Sequence, residues 1–534
     1  MLIEQPSISV SVRLARFWKA RVQPLIGAHR TSTDASVFWI MISAAALYLY
    51  AAETANTELF HEVGFALGVQ IVAWAACMIA AAGCCSGWIL RISDPVVLTL
   101  GLSVLYLIYP SIAWCQGERL PFDVRITADT VTLLSFLHAL FLLGLIAGYK
   151  CTAPQPRADR RLDVRRLPSP WPLFFGGMLP LLGITVARLV SGGDLISSST
   201  YAANWFAMQA SVNGAQATGG VGYVLVQIMS KVSSYPIILQ GIGAGLLLAR
   251  ATSWPRKSTV VASLILICAA AAAMVLLGTG GRSPSVTYVL VALIFFDTIA
   301  GPLRWRIIAP FAAAGLVFFF LMGYVRNHYD LGFHRALEIG YQEYRSDRSA
   351  KNAGEFTGML AKEALALQIA REGGFDDGMY FVHAVLSLVP SQILPDKMNW
   401  TPMRDVLSRR MLGRIAADMG SGVDGTSIGD GYAVAGAPGV FMLAGLFGII
   451  LGQVRKWGMR DSKGGNNPEL LRVALMAGLT GSTVILIRSD LTGVLTYFVY
   501  VLVIPWWVLR LLLAGTQHWL RPIPQMWHPR RRGI

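Results

Sequence analysis

The segment Val434–Val454, VAGAPGVFMLAGLFGIILGQV, runs for 21 residues without a charged side chain. A helix of about 20 apolar residues is long enough to cross the hydrocarbon core of a bilayer, which is about 30 Å thick. The whole chain has the same character, because 54% of its residues are hydrophobic, 14% are charged and its mean hydropathy is +0.53. Soluble domains carry roughly 25% charged residues. The sequence therefore predicts an all-α integral membrane protein.

Similar apolar runs recur along the chain and predict one polytopic bundle of about twelve transmembrane helices. The predicted spans are Val37–Ala52, Val63–Gly83, Pro95–Trp114, Asp129–Tyr149, Trp171–Leu189, Val221–Ala249, Thr259–Leu277, Val286–Ala300, Ile307–Val325, Val434–Val454, Leu470–Ile487 and Leu491–Leu513. The resulting segments are an N-terminal segment (1–36), four helices (37–149), a basic linker (150–170), the middle helices (171–325), a large loop (326–433), the last helices (434–513) and a basic tail (514–534).

The distribution of charge predicts the orientation of the bundle. The formal net charge is +15, but the stretch Arg326–Tyr432 is nearly neutral, with 12 Lys/Arg and 14 Asp/Glu. Most of the basic excess lies in alternate short connections, such as Lys150–Arg166 and Arg455–Lys463, as the positive-inside rule requires of cytoplasmic loops. We therefore expect both termini in the cytoplasm and the large loop on the opposite, outer side of the membrane. The charge does not predict nucleic-acid binding.

Cysteine and histidine patterns predict neither a disulfide framework nor a metal site. The chain has six cysteines and eight histidines, and none of them forms a CxxC or HExxH pattern. We expect no metal and no cofactor.

Two arginines lie in short turns that join predicted spans on the outer side. Arg282 belongs to Gly278–Pro284, GTGGRSP, where an arginine beside a helix N-terminus can bind an anion. The alternative is a turn whose arginine extends to the membrane interface. Arg488 lies in the outer hairpin of the last two spans, and its alternative role is an ion pair with Asp490.

Two further basic residues fall within predicted spans. Arg188 lies near the outer end of its span, and Lys231 lies inside another. Ionisable groups at such depth usually face a cavity or a partner. For Lys231, a structural ion pair and a substrate contact are equally consistent with the sequence.

The large loop is predicted to be helical. Phe356, Leu360, Ala364 and Leu367 recur at helical spacing and predict a helix that lies along the membrane surface or packs on the bundle. The charged residues on its other faces are Lys362, Glu363, Arg371 and Glu372. We interpret the apolar stripe as core.

Three sequence elements stand out between the middle and last spans. The first is the Gly-Gly-Arg282 turn. The second is Val389–Lys397, VPSQILPDK, followed by Gly425–Tyr432, GTSIGDGY. The third is Arg488–Leu491, RSDL. Together they resemble the bacterial oligosaccharide repeat-unit polymerases, the O-antigen polymerase family. The resemblance extends over about residues 278–491, and the N-terminal half matches only in hydropathy.

The resemblance implies a C-type glycosyltransferase architecture in the bacterial inner membrane, with the active site facing the periplasm. The implied substrate is an oligosaccharide on a polyprenyl pyrophosphate, joined into a lipopolysaccharide O-antigen or an exopolysaccharide. The implied partners are membrane lipid and a polysaccharide chain-length regulator.

The chemistry of that reaction gives roles to the candidate residues. The leaving pyrophosphate develops negative charge, which arginines can neutralise without a metal. We assign this role to Arg282 and Arg488. A general base is needed for the acceptor hydroxyl, and Asp430, His328 or Glu355 could serve. The candidate substrate-binding residues are Arg188, Arg326, Glu355, Lys397, Tyr432 and Asp490.

Three other functions are compatible with parts of the sequence. An O-antigen ligase would share the chemistry and topology but use a different acceptor. A flippase or exporter of the same lipid-linked sugar is disfavoured by the long polar loop and by the scarcity of buried charges along the spans. A structural scaffold of an export complex has no feature in its favour.

Overall fold

The computed structural model describes residues 32–85, 91–117, 126–152, 169–178, 235–253, 257–277, 283–301, 333–346, 357–373, 379–386, 425–458 and 466–499, with further single positions at 314, 315, 317, 321, 325, 389, 407, 410, 507 and 510. Every regular element in these ranges is a helix. Six helices are long and apolar enough to cross a membrane, and three shorter apolar helices accompany them. The predicted helical membrane protein is confirmed at this level.

The helices are numbered in chain order. They are α1 (Ser32–Thr54), α2 (Thr57–Ala82), α3 (Pro95–Ser103), α4 (Tyr109–Cys115), α5 (Ala128–Thr152), α6 (Tyr235–Ser253), α7 (Lys257–Leu277), α8 (Ser283–Ala300), α9 (Phe333–Ser346), α10 (Thr357–Gly373), α11 (Met379–Leu386), α12 (Ser427–Gly458), α13 (Asn466–Gly481), α14 (Val484–Arg488) and α15 (Leu491–Tyr497). A π-helical turn, Val104–Ile108, joins α3 to α4.

The six long apolar helices agree with predicted spans. They are Ser36–Thr54, Thr57–Ala82, Pro95–Cys115, Ala128–Thr152, Ser427–Gly458 and Leu470–Arg488. The shorter apolar helices lie within α6, α7 and α8, which also fall in predicted spans. Most of the predicted span Ile307–Val325, like the segments 1–31 and 511–534, lies outside the described residues.

Side chains at helix starts explain where α2 and α3 begin. The Asn56 side chain accepts a hydrogen bond from the backbone N–H of Glu58. Asp94 caps α3 by accepting from the backbone N–H groups of Val96 and Val97, and Pro95 follows at the first helical position. Such caps satisfy N–H groups that have no partner within the helix.

The buried apolar side chains form two clusters. The first unites α1 to α5 with α10, α11, α12, α14 and α15. The second unites α6, α7, α8 and α13 with Leu173 and Phe174. A polar contact connects parts of the two groups, because Asp297 of α8 accepts hydrogen bonds from the backbone and hydroxyl of Ser93, just before α3.

Helices α5 and α12 run parallel in close contact. Gly144 faces Phe441, Gly148 faces Gly445 and the Thr152 hydroxyl donates to the Ile449 carbonyl, which is a constant offset of 297 residues. A Cβ atom on Gly148 would lie 1.9 Å from the Gly445 carbonyl oxygen. The small residues therefore allow the two backbones to touch, as at other membrane helix interfaces.

A buried ion pair joins the ends of four helices. Arg455 Nη1 lies 2.8 Å from Asp94 Oδ2 and donates to the Tyr149 hydroxyl, and Arg455 Nη2 donates to the carbonyl of Cys84. The Tyr149 hydroxyl also contacts both oxygens of Asp94 at 2.9 Å. We call Cys84, Asp94, Tyr149 and Arg455 the arginine cluster.

The arginine cluster fixes the relative direction of these helices. It brings the end of α2, the start of α3, the end of α5 and the end of α12 to one side of the bundle. This agrees with the alternation predicted for the spans. Arg455 itself was expected in a connecting loop, and that expectation is wrong, because the residue lies inside α12 and is buried by its pairing with Asp94.

Candidate functional site

Two sequence motifs separated by about sixty residues meet at the other end of α12. The backbone N–H of Leu491 donates to Asp430 Oδ2 at 2.6 Å, and the Ser427 hydroxyl donates to the Ser489 carbonyl at 2.9 Å. Two hydrogen bonds therefore connect the start of α12 to the turn between α14 and α15. We call this region, with Asp430, Arg488 and Asp490, the hairpin site.

Two carboxylates are buried together in the hairpin site. Asp430 is 1% exposed and Asp490 is 2% exposed. A Cβ atom on Gly425 would lie 3.1 Å from the Asp490 Cβ and 3.6 Å from Asp430 Oδ1, so both side chains flank this glycine. Asp490 also caps α15 by accepting from the backbone N–H of Gly493 at 2.6 Å. Both carboxylates therefore stabilise the N-terminus of α15 by accepting backbone N–H groups.

Arg488 and Tyr432 lie at the border of the same region. Arg488 is the last residue of α14 and is half-buried, two positions before Asp490. Tyr432 is half-buried in the first turns of α12 and packs against the first apolar cluster. The structure therefore brings Asp430, Tyr432, Arg488 and Asp490 of the predicted site to one end of the bundle.

Helix α12 is broken directly after these residues. Ala435 has φ −152° and ψ 27°, and Gly436 has φ +64°, a left-handed conformation that favours glycine. Pro438 follows within the helix. Non-helical backbone at membrane depth is tolerated where it is enclosed by protein or lines a cavity, and broken helices commonly build binding sites in transporters.

Helix α10 of the large loop packs within the bundle, in accordance with one of the two predicted alternatives. Leu360, Ala364 and Leu367 are buried, which confirms the apolar stripe. Glu363, expected on a polar face, is completely buried, and its Oε2 atom lies 2.8 Å from His138 Nε2 of α5. The loop therefore contributes a carboxylate to the interior of the protein.

A hydrogen-bond chain continues from His138 to the π-helical turn. His138 Nδ1 lies 2.9 Å from Gln70 Nε2, which also donates to the Leu107 carbonyl at 2.9 Å. Because Leu107 offers only an acceptor, it fixes the orientation of the Gln70 amide. The amide then donates to Nδ1, so neutral His138 carries its proton on Nε2 and donates to Glu363. We call Gln70, His138 and Glu363 the histidine network.

The histidine network and the hairpin site lie next to each other. A Cβ atom on Gly429 would lie 2.8 Å from the Ala366 Cβ, so α10 contacts α12 one residue before Asp430. Glu363 precedes Ala366 by one helical turn. The π-helical turn contacts the histidine network through the hydrogen bond from Gln70 to the Leu107 carbonyl, and α12 is broken at Ala435, five residues after Asp430. Distortions of this kind recur at functional sites.

The remaining predicted site residues lie outside the described residues. They are Arg188, Arg282, Arg326, His328, Glu355 and Lys397, and Lys231 is also outside this part of the chain. The structure describes α8 from Ser283 onward, which confirms the predicted helix start beside Pro284.

Sequence reasoning missed the histidine network. Gln70 and His138 are polar residues inside predicted spans, and that property alone marks candidates for function. Glu363 gave no such signal, because its neighbours Lys362, Arg371 and Glu372 are charged as well. Glu372 is exposed and hydrogen-bonded to Arg410, which holds the pKa of that carboxyl below its ordinary value.

Charged side chains are buried in the described part of the protein. The described residues include six buried charged side chains: Asp94, Asp297, Glu363, Asp430, Arg455 and Asp490. Of these six, only Asp297 lies inside a predicted span, so they do not contradict the scarcity of buried charges expected along the spans. Within the same residues, histidine, cysteine and carboxylate side chains do not gather into a group of three or more that could hold a metal ion.

No protein-family model matches the chain, and no curated protein or solved structure matches it either.

Proposed function

We propose that this chain is a membrane glycosyltransferase that joins polyprenyl-pyrophosphate-linked oligosaccharides into a surface polysaccharide. The observation that carries the proposal is the meeting of the Asp430 and Arg488 motifs in one buried site, since these are two of the elements that resemble repeat-unit polymerases. The proposal includes about twelve spans, a C-type glycosyltransferase architecture and a chain-length regulator as partner.

In the proposed reaction, the arginines and the carboxylates have different roles. The acceptor hydroxyl attacks the anomeric carbon of the donor, and the bond from that carbon to the pyrophosphate oxygen breaks. Arg488, with Arg282, neutralises the charge that develops on the leaving group. Asp430 already accepts the N–H of Leu491, which supports a role in shaping the site.

The orientation belongs to the same proposal. With N- and C-termini in the cytoplasm, the arginine cluster lies at the cytoplasmic end of the bundle and the hairpin site at the periplasmic end. Cysteine labelling of intact cells tests this, with Ala353→Cys in the large loop and Ala158→Cys in the basic linker. Label on the first variant alone agrees with the proposal, and label on the second alone contradicts it.

Polymerase activity is tested with purified protein and a polyprenyl-pyrophosphate repeat unit as the only sugar. A ladder of products on a gel, spaced by one repeat unit, is the expected result. A parallel reaction with lipid A core as acceptor distinguishes a ligase from a polymerase. Transfer to the core without a ladder from the repeat unit alone would assign the chain to that activity instead.

The second candidate is an exporter of the same lipid-linked sugar. The observation in its favour is the histidine network, because buried carboxylate and histidine side chains within spans often form proton relays in transporters. An exporter moves its substrate across the bilayer and leaves the bond between the sugar and the pyrophosphate intact. Product analysis therefore distinguishes the two functions.

A further inference from the structure

Three buried oxygen atoms, two in the histidine network and one on Ser135, have no hydrogen-bond partner among the described residues. They are Oε1 of Glu363, Oε1 of Gln70 and Oγ of Ser135, and all three residues have no exposed surface. Ser135 lies one helical turn before His138 on α5, so it faces the same side of that helix. Leaving buried polar atoms without partners is costly, and such atoms in native proteins commonly serve a bound group or a reaction.

We propose that Glu363 accepts the hydroxyl proton of the acceptor sugar, with Gln70 and Ser135 contacting the same sugar. The inference rests on the proposed glycosyltransferase function. In the reaction, the acceptor oxygen forms its bond to the anomeric carbon as its proton passes to Glu363 Oε1. The electron pair of the broken bond leaves on the pyrophosphate.

The contacts of Glu363 select one oxygen for this role. His138 Nε2–H donates to Oε2, and the Gln70 amide and Leu107 carbonyl hold that tautomer, so the carboxylate is oriented and Oε1 is left to accept. His138 and the amide nitrogen of Gln70 are thus positioning groups. The arrangement follows the general pattern of a base that is oriented by a further side chain.

The chemistry of the three oxygens fits a polyhydroxylated ligand. A carboxylate oxygen and an amide oxygen accept hydrogen bonds, and a serine hydroxyl both donates and accepts. A sugar with adjacent hydroxyl groups can satisfy all three, whereas an acyl or prenyl chain can satisfy none. Because Glu363 is fully buried, the proposal requires α10 to move away from α5 when the sugar enters, as loops that close over substrates do.

Asp430 fits the role of base less well than Glu363. Its Oδ2 atom already accepts the Leu491 backbone N–H and thereby holds the turn before α15. The contact between Ala366 and Gly429 connects Glu363 to this turn, so a sugar held at Glu363 lies beside the region in which Arg488 meets the leaving group.

The test compares Glu363→Gln with Glu372→Gln in the purified full-length protein. Glutamine keeps the shape of the side chain and removes the base, while Glu372 is an exposed carboxylate on the same helix. Elongation of the polyprenyl-pyrophosphate repeat unit should fall at least ~100-fold in Glu363→Gln, as expected for the loss of a general base. The elongation rate of Glu372→Gln should stay within about twofold of the wild-type rate, because this variant loses only a contact on the helix surface.

A second measurement uses the wild-type protein, in case Glu363→Gln does not fold. Dicyclohexylcarbodiimide, an apolar reagent that modifies buried carboxyl groups, is mapped to Glu363 by mass spectrometry with and without the lipid-linked repeat unit. Protection of Glu363 by the repeat unit is expected. Equal labelling in both samples, or a Glu363→Gln variant as active as the wild type, would overturn the inference while wild-type elongation still supports the proposed function. A wild-type protein that makes no ladder would overturn both.

Discussion

Asp430 and Leu491 are 61 residues apart in the sequence, and the Asp430 carboxylate accepts a hydrogen bond of 2.6 Å from the Leu491 backbone N–H. This bond joins the first turn of α12 to the first turn of α15. The hairpin site therefore depends on Asp430, whose carboxylate accepts the N–H of the first residue of α15. Both Asp430 and Asp490 support α15 from its N-terminal end, where negative charge is favourable.

We predict that Asp430→Ala lowers the free energy of unfolding by about 1–2 kcal/mol, because the N–H of Leu491 loses a buried partner. Asp430→Asn keeps an acceptor oxygen and should cost less. Thermal unfolding in detergent measures both variants. Equal stability of Asp430→Ala and the wild type would show that the bond to Leu491 does not hold the hairpin.

Arg488→Ala should lower the elongation rate by about 10²–10³-fold, the effect of removing one group that stabilises developing negative charge. Arg282→Ala should act in the same way. Arg488→Lys should restore activity only in part, because lysine keeps the charge and loses the planar fork. Arg335→Ala is the control, since Arg335 is an exposed arginine of α9 in the large loop. Full activity in Arg488→Ala and Arg282→Ala would exclude the proposed role at the leaving group.

The contact between α5 and α12 predicts different effects for alanine at two glycines, Gly148 and Gly445, and the second serves as the control. Gly148→Ala puts a Cβ atom 1.9 Å from the Gly445 carbonyl oxygen and should destabilise the protein by about 1–3 kcal/mol, as overpacking does. At Gly445 the nearest atom to an added Cβ is Gly144 O at 3.7 Å. Gly445→Ala should therefore be neutral or stabilise by up to about 1 kcal/mol. The same unfolding temperature for both variants would contradict the close approach.

The arginine cluster should contribute strongly to stability. Arg455→Met leaves Asp94 buried without its cation and should cost about 3–5 kcal/mol. Lys456→Met, at the next position on an exposed face, is the control and should stay within about 0.5 kcal/mol of the wild type. The double variant Asp94→Asn with Arg455→Met should recover part of the loss. A double variant that loses the sum of both single effects would show that the two groups do not interact.

Hydropathy predicted the membrane spans because a bilayer requires long apolar helices with internal backbone hydrogen bonds. The grouping of Asp430 with Arg488 was predicted from motifs assigned to the same side of the membrane. The contact of Glu363 with His138 could not be predicted in this way, because it joins residues 225 positions apart and Glu363 lies among ordinary surface charges. The break at Gly436 is also invisible to hydropathy, since both halves of α12 remain apolar.

The position of Arg455 illustrates a further limit of sequence reasoning. Arginine at the end of a span counts as a cytoplasmic loop residue under the positive-inside rule. Its burial depends on Asp94, which stands before a different span and is positioned by its role as the cap of α3. Pairings between spans therefore require the three-dimensional arrangement of the helices.

In the proposed reaction, the protein breaks one bond between a sugar's anomeric carbon and polyprenyl pyrophosphate for every new glycosidic linkage it makes. The most direct test reconstitutes the purified chain in liposomes with a polyprenyl-pyrophosphate repeat unit, and measures released polyprenyl pyrophosphate together with chain length. We expect a ladder of polymers and one released polyprenyl pyrophosphate per linkage formed. Movement of intact lipid-linked repeat units across the bilayer, without release and without a ladder, would contradict it.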